Sequence, residues 1–162
     1  MTPKIPLMAF IKKQKNLKIL FVATEAAPYV KVGGLGEVMY ALPRALHELG
    51  HDARVIIPKF ASIQADKYKF KSHIDGITVA KGNTSEGAER PIICNIKVLE
   101  ETPEGCVPCY FIENQEYFEQ RGSVYGYDDD AARWAVMCRG ALEFIKSNKD
   151  DWVPDVIVAS DW

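Results

Sequence analysis

Hydrophobic positions along the chain alternate between two periods. Lys18-Ile-Leu-Phe-Val-Ala-Thr24 is a continuous apolar run rich in β-formers, the pattern of a strand buried on both faces. Pro28 and Gly33-Gly34 then mark a loop. From Leu35 to Leu49 the period lengthens, with Val38, Leu42, Leu46 and Leu49 recurring at spacings of four, four and three. That spacing predicts one buried face of an amphipathic helix. Gly50 should end it in the left-handed conformation, and Pro43 inside it predicts a kink or an early break. Ala53 to Ile57, closed by Pro58, is a second strand. A strand, helix and strand over about 40 residues make a βαβ unit with parallel pairing.

Farther along, 67–80 and 89–100 alternate as strands around a Gly/Asn/Ser turn at 82–87, which predicts an antiparallel hairpin inserted in an α/β plan. Val107–Ile112 is another strand and 130–147 a helix whose core face holds Trp134, Met137, Cys138, Ala141, Phe144 and Ile145. Asp155 to Ala159 is a last buried strand. The expected fold class is α/β, a Rossmann-like three-layer parallel sheet carrying an inserted β-hairpin. In such sheets the ligand site lies beyond the strands' carboxyl ends. No helix follows the last strand to cover it, so the plan reads as truncated or completed by another segment.

Composition changes this picture little. Apolar residues make up 48% and charged residues 26% of 162 positions, with a net charge of −2; no basic excess points to nucleic acid. Residues 1–16 read as an extension or tail ahead of a domain at 17–162. The apolar stretch from Ile5 to Ile11 precedes its lysines and is short, the wrong order for a secretory signal, and no stretch is long enough to span a membrane. Scattered cysteines at 94, 106, 109 and 138 fit a reducing compartment, and the expected location is cytoplasmic.

Chemistry is concentrated in the first loop. Lys31-Val-Gly-Gly34 joins a buried strand to a helix start, where close backbone approach and unpaired N–H groups suit a phosphate. Neither the dinucleotide fingerprint nor the P-loop pattern is met, since position 39 is Met and no Gly-Lys-Ser/Thr occurs. The alternative is a loop whose glycines supply positive φ, with Lys31 solvated. Cys106-Val-Pro-Cys109 has the spacing of a dithiol centre, but a strand and not a helix follows it, so Cys109 should be a buried small hydrophobe. Asp128-Asp-Asp130 fits a helix N-cap and first turn without metal. His47, His51 and His73 form no cluster.

Several blocks in order resemble one family. Lys18-Ile-Leu-Phe-Val-Ala-Thr-Glu-Ala-Ala-Pro28, Lys31-Val-Gly-Gly-Leu-Gly-Glu-Val38 and Ala41-Leu-Pro-Arg-Ala-Leu46 are similar to the opening of bacterial glycogen and plant starch synthases. Tyr110-Phe-Ile-Glu-Asn114, Arg121-Gly-Ser-Val-Tyr-Gly-Tyr127, Ala132-Arg-Trp-Ala135 and Pro154 to Trp162 continue the resemblance. It implies a partial N-terminal domain of a GT-B glycosyltransferase of family 5 over 17–162. The implied reaction is retaining transfer of glucose from ADP-glucose, or UDP-glucose, to the non-reducing end of an α-1,4-glucan, with no metal and no cofactor. The resemblance puts Lys31, Gly33 and Gly34 at the donor phosphates. Glu25 and Tyr125 fall on the acceptor side, and Asp161 assists as a hydrogen-bonding partner of the sugar near the reacting centre.

It also implies that the catalytic histidine, the Arg/Lys phosphate clamp and a C-terminal glutamate lie beyond residue 162, and that a C-terminal GT-B domain is missing. This chain alone should then be inactive. Two departures stand out. Val158 and Ser160 occupy the places of the family's two histidines before Asp-Trp, and Gly36-Glu37 stands where Ala-Asp is common. The missing covering helix and the two replaced histidines leave room for a non-catalytic glucan-binding or interaction subunit completed by a second chain.

Overall fold

The computed structural model describes residues 15–63, 66–83, 89–148 and 151–160. Its elements follow in the order β1 (Lys18–Val22), α1 (Gly34–Glu48), β2 (Asp52–Pro58), β3 (Phe70–Asn83), β4 (Glu89–Leu99), β5 (Cys109–Glu113), α2 (Asp130–Ser147) and β6 (Val156–Ala159). A π-helical turn, Gln115–Glu119, separates β5 from the loop before α2. One six-stranded sheet runs β3-β4-β5-β2-β1-β6. Its four strands β5, β2, β1 and β6 are parallel. The antiparallel pair β3–β4 is added at one edge, with β4 antiparallel to β5. The expected α/β sheet with an inserted hairpin is therefore present.

The central strands are apolar because both faces are covered. Ile19, Leu20, Phe21 and Val22 are all buried. In β2 and β5, successive side chains point to opposite faces. Val55 and Cys109 face Met39 of α1. Tyr110 stacks on Phe144 of α2 at 4.5 Å, and Ile112 meets Gly140 of α2. α1 and α2 thus lie on opposite sides of the sheet, and the three layers are complete around β2 and β5.

The face that α1 buries differs from the one expected. Gly36, Met39 and Pro43 are its buried residues, whereas Val38, Leu42 and Leu49 are 47%, 43% and 74% exposed; of the expected face only Leu46 packs against the core. Of the buried three, Met39 supplies the one long apolar side chain, and Gly36 packs against Lys31 and Glu25. Nor does Pro43, although buried within it, break the helix, which continues to Glu48. Gly50 follows with φ +93°, as expected. Truncating Met39 to alanine should therefore cost about 2–5 kcal/mol in urea unfolding of this chain. Leu42→Glu should stay within about 0.5 kcal/mol; the reverse ranking would restore the face read from periodicity.

Helix α2 buries Trp134, Met137, Ala141 and Phe144, with Cys138 and Ile145 partly buried. Strand β6 pairs with β1 alone, and its Val156 and Ile157 are 40% and 46% exposed, so the last strand is not buried as expected. No helix among the described residues is long and apolar enough to cross a membrane.

Candidate functional site

Strand β1 ends at Val22, and Ala23-Thr24-Glu25 continues from its carboxyl end into the loop before α1. Thr24 and Glu25 are buried, polar though they are. Both carboxylate oxygens of Glu25 are engaged. Oε2 accepts the backbone N–H groups of Val32 at 2.5 Å and Gly33 at 2.9 Å. Oε1 accepts the Tyr125 hydroxyl at 2.6 Å. The Thr24 and Tyr125 hydroxyls also lie 2.6 Å apart. Since Tyr125 gives its single proton to Glu25, Thr24 must donate to Tyr125. A relay Thr24–Tyr125–Glu25 thus ends on the loop backbone. Desolvation pushes the Glu25 carboxyl up. The hydrogen bonds from Tyr125, Gly33 and Val32 outweigh it and hold the group below its ordinary 4.5.

Lys31 is half exposed and forms an ion pair with Glu37 in the first turn of α1. The glycines beside it are not there for backbone reasons. Gly33, the residue before the helix, is extended with φ −134°, and neither Gly33 nor Gly34 has positive φ. A β-carbon added to either would meet nothing within 4 Å. The alternative of glycines needed for positive φ is therefore not met: their missing side chains leave open space beside the N-terminus of a 15-residue helix. Just before these glycines in the chain, Lys31 and Val32 form one wall of an open cleft of about 540 Å³, with Gly122, Ser123 and Tyr125 on the other and Ser62 nearby.

The structure therefore brings Lys31, Gly33, Gly34, Glu25 and Tyr125 to one end of the sheet. Asp161 lies outside the described residues. A larger groove of about 740 Å³ runs along the start of β4 and the π-helical turn, lined by Arg90, Asn95, Glu113 and Glu119; it contains none of the candidate donor- or acceptor-binding residues.

Sequence reasoning missed Arg133, the largest fully buried side chain. Its Nε donates to the Tyr117 carbonyl, and Nη1 donates to the Val124 carbonyl and the Asp130 carboxylate. Its guanidinium lies 4.8 Å from the Tyr127 ring centre and 4.7 Å from that of Trp134. The arginine ties down the segment that carries Tyr125. Its position four residues before Met137, on the buried face of α2, was the available signal.

The expected cap of α2 is altered in part. Asp129 precedes α2, but its side chain makes no cap and instead takes Arg121 at 2.6 Å. Asp130, the first helical residue, accepts the Gly126 N–H at 2.8 Å. Among the described residues no group of three or more His, Cys, Asp or Glu could hold a metal. Burial pushes the Cys106 thiol up and the Cys109 thiol well up, the opposite of what an attacking thiolate needs. His51 accepts the Leu17 N–H, and His73 pairs with Asn148, so both have local structural partners.

Comparison with known proteins places this arrangement. The family model described as the starch synthase catalytic domain matches residues 18–162. A glycogen synthase of Clostridium acetobutylicum is 42% identical over 147 residues, covering 90% of this chain and 28% of that protein. One of Geotalea uraniireducens is 39% identical over 151 residues, covering 90% and 29%. A solved structure, the catalytic domain of starch synthase IV from Arabidopsis thaliana bound to ADP and acarbose, superposes with a TM-score of 0.74. It shares 32% identity and covers 91% of this chain and 28% of that one. The chain thus spans under a third of the relatives it matches. With a family match over nearly its whole length and a sheet corresponding to the N-terminal domain of a GT-B glycosyltransferase, it belongs to the starch synthase catalytic domain family.

Proposed function

We propose that residues 18–162 form part of the N-terminal, acceptor-side domain of a glycogen or starch synthase, which transfers glucose from ADP-glucose, or UDP-glucose, to the non-reducing end of an α-1,4-glucan with retention. The carrying observation is the glycine pair. Gly33 and Gly34 are required by neither dihedral nor packing, and they keep open the approach to a helix N-terminus next to a lysine. Such a place suits the leaving diphosphate, where charge grows as the glycosidic bond to phosphate breaks. Lys31 exchanges Glu37 for that diphosphate, and the first-turn amides of α1 add their dipoles. Tyr125, backed by Glu25, stands on the acceptor side. Asp161 hydrogen-bonds the sugar near the reacting centre. A relative solved with ADP and acarbose supports a nucleotide and a sugar together on this fold.

In this reading the catalytic histidine lies beyond residue 162 and a second GT-B domain supplies the nucleotide pocket, so the enzyme is a cytoplasmic two-domain protein. The polypeptide carrying both domains is expected to move radiolabelled glucose from ADP-glucose into glycogen. The 162-residue chain alone is expected to transfer none and to bind ADP-glucose only weakly in titration calorimetry. Tight binding by this chain alone would contradict the two-domain reading. Absence of incorporation by the two-domain polypeptide, with either ADP-glucose or UDP-glucose, would remove the transferase assignment.

A further inference from the structure

Glu25 sits in an electrostatically odd place. A carboxylate within one loop of a diphosphate site opposes the ligand's charge, yet here it is buried and held ionised by its donors. Its two oxygens face inward, toward Val32, Gly33 and Tyr125, and only 3% of the residue is exposed. It therefore presents no free oxygen to a sugar in the cleft. What it does hold is the backbone of the loop that carries Lys31. Gly36 completes the contact: a β-carbon there would lie 3.3 Å from Glu25 Oε2 and 3.1 Å from Lys31 Cγ, so carboxylate, loop and helix start are packed together.

We propose that Glu25 is a positioning residue, a clamp that holds the Lys31–Gly34 loop by two backbone N–H groups and ties it through Tyr125 to the opposite wall of the cleft. The inference rests on the donor-site reading above, but the clamp itself is a property of this chain. It explains the direction of the two amides. Val32 and Gly33 spend their N–H groups on Glu25, so the loop keeps one shape, and the amides of Gly34 and Leu35 and the Lys31 amine are left for the ligand. It also couples the walls: Tyr125 belongs to the segment anchored by Arg133 through the Val124 carbonyl. The charged and titratable groups around the carboxylate are Tyr125 from that segment, Lys31 from the loop and Glu37 from α1, the last two paired with each other.

The sign of one substitution separates this role from simple proximity. If Glu25 were only a nearby negative charge, Glu25→Gln would remove repulsion and lower KM for ADP-glucose. If it touched the acceptor, the same change would raise KM for the glucan. A clamp predicts that Glu25→Gln raises KM for ADP-glucose on the order of tenfold, the worth of charge-assisted hydrogen bonds, with KM for the glucan little changed. Tyr125→Phe, which removes one of three donors, shifts it less in the same direction. A lowered or unchanged donor KM, or a shift confined to the glucan, overturns the proposal.

A second arm needs no catalysis. In nuclear magnetic resonance spectra of the 162-residue chain, the Val32 and Gly33 amide protons should titrate together with a midpoint below 4.5, and the titration should vanish in Glu25→Gln. Amides that do not move, or that survive the substitution unchanged, overturn the clamp. Shared titration in a protein whose two-domain form transfers no glucose would keep the clamp and remove only the donor-site reading.

Discussion

Replacing Arg133 by alanine is expected to destabilise the chain by about 3–5 kcal/mol, the usual cost of removing one partner from a buried, hydrogen-bonded charge. The side chain is fully buried, so its loss both opens a cavity and strips donors from the Tyr117 and Val124 carbonyls. Asp130 keeps the Gly126 N–H and suffers less. Arg133→Met separates the contributions. It restores most of the volume and the contact with Tyr127 and Trp134 but leaves the two carbonyls unpaired, so about 1–3 kcal/mol of the loss should remain. Nη2 has no hydrogen-bond partner among the described residues, and its removal costs nothing of that kind. Urea unfolding of both variants checks the ranking; a methionine variant as stable as the parent would mean that packing alone holds this segment.

The same variants carry a pH signature. Burial pushes the Asp130 carboxyl up, but hydrogen bonds from Gly126 and Arg133 outweigh it and hold the group below its ordinary 3.8. A depressed carboxyl contributes stability that is fully present above the unfolded value and fades as pH falls through the folded one. The parent should therefore lose part of its stability below about pH 4, and Arg133→Met should lose less of it there. Because Asp130 is close to solvent, this difference is small beside the loss of the buried hydrogen bonds.

Arg133 also marks a limit of what the chain reveals when read as a string. An arginine between Ala132 and Trp134 looks like the solvent edge of an amphipathic helix, and only its position on the face of Met137 and Phe144 says otherwise. Strand β1 was legible because a central parallel strand must be apolar on both faces. The hairpin was legible because alternation and a polar turn coincide. Helix α1 misled because the periodic apolar positions Val38 and Leu42, with Leu49 just past its end, are exposed while Met39 is buried. Gly36 and Pro43 carry little hydrophobic signal, yet both are buried. In the site, Lys31 and the glycines were local and could be read from a few residues. Glu25 could be named from the resemblance but not given its contacts, since one partner, Tyr125, is 100 positions away.

The larger functional effect falls on Lys31. In the two-domain enzyme, Lys31→Ala should lower kcat/KM for transfer from ADP-glucose by about 10²–10³-fold, the range found when one fixed group at a developing negative charge is removed. The opposing cost is small. The ion pair with Glu37 is exposed on both sides, and such pairs contribute about 0–1 kcal/mol, so Lys31 can leave its partner for a diphosphate at little expense. By the same reasoning Lys31→Ala should change unfolding free energy by less than about 1 kcal/mol. Removing the partner instead, Glu37→Gln, should change kcat/KM by less than about threefold, because the lysine it frees would have left in any case. A fall within fivefold for Lys31→Ala, in a protein of unchanged stability, would place the positive charge that meets the leaving group elsewhere. The open space beside Gly33 and Gly34 would then need a different occupant.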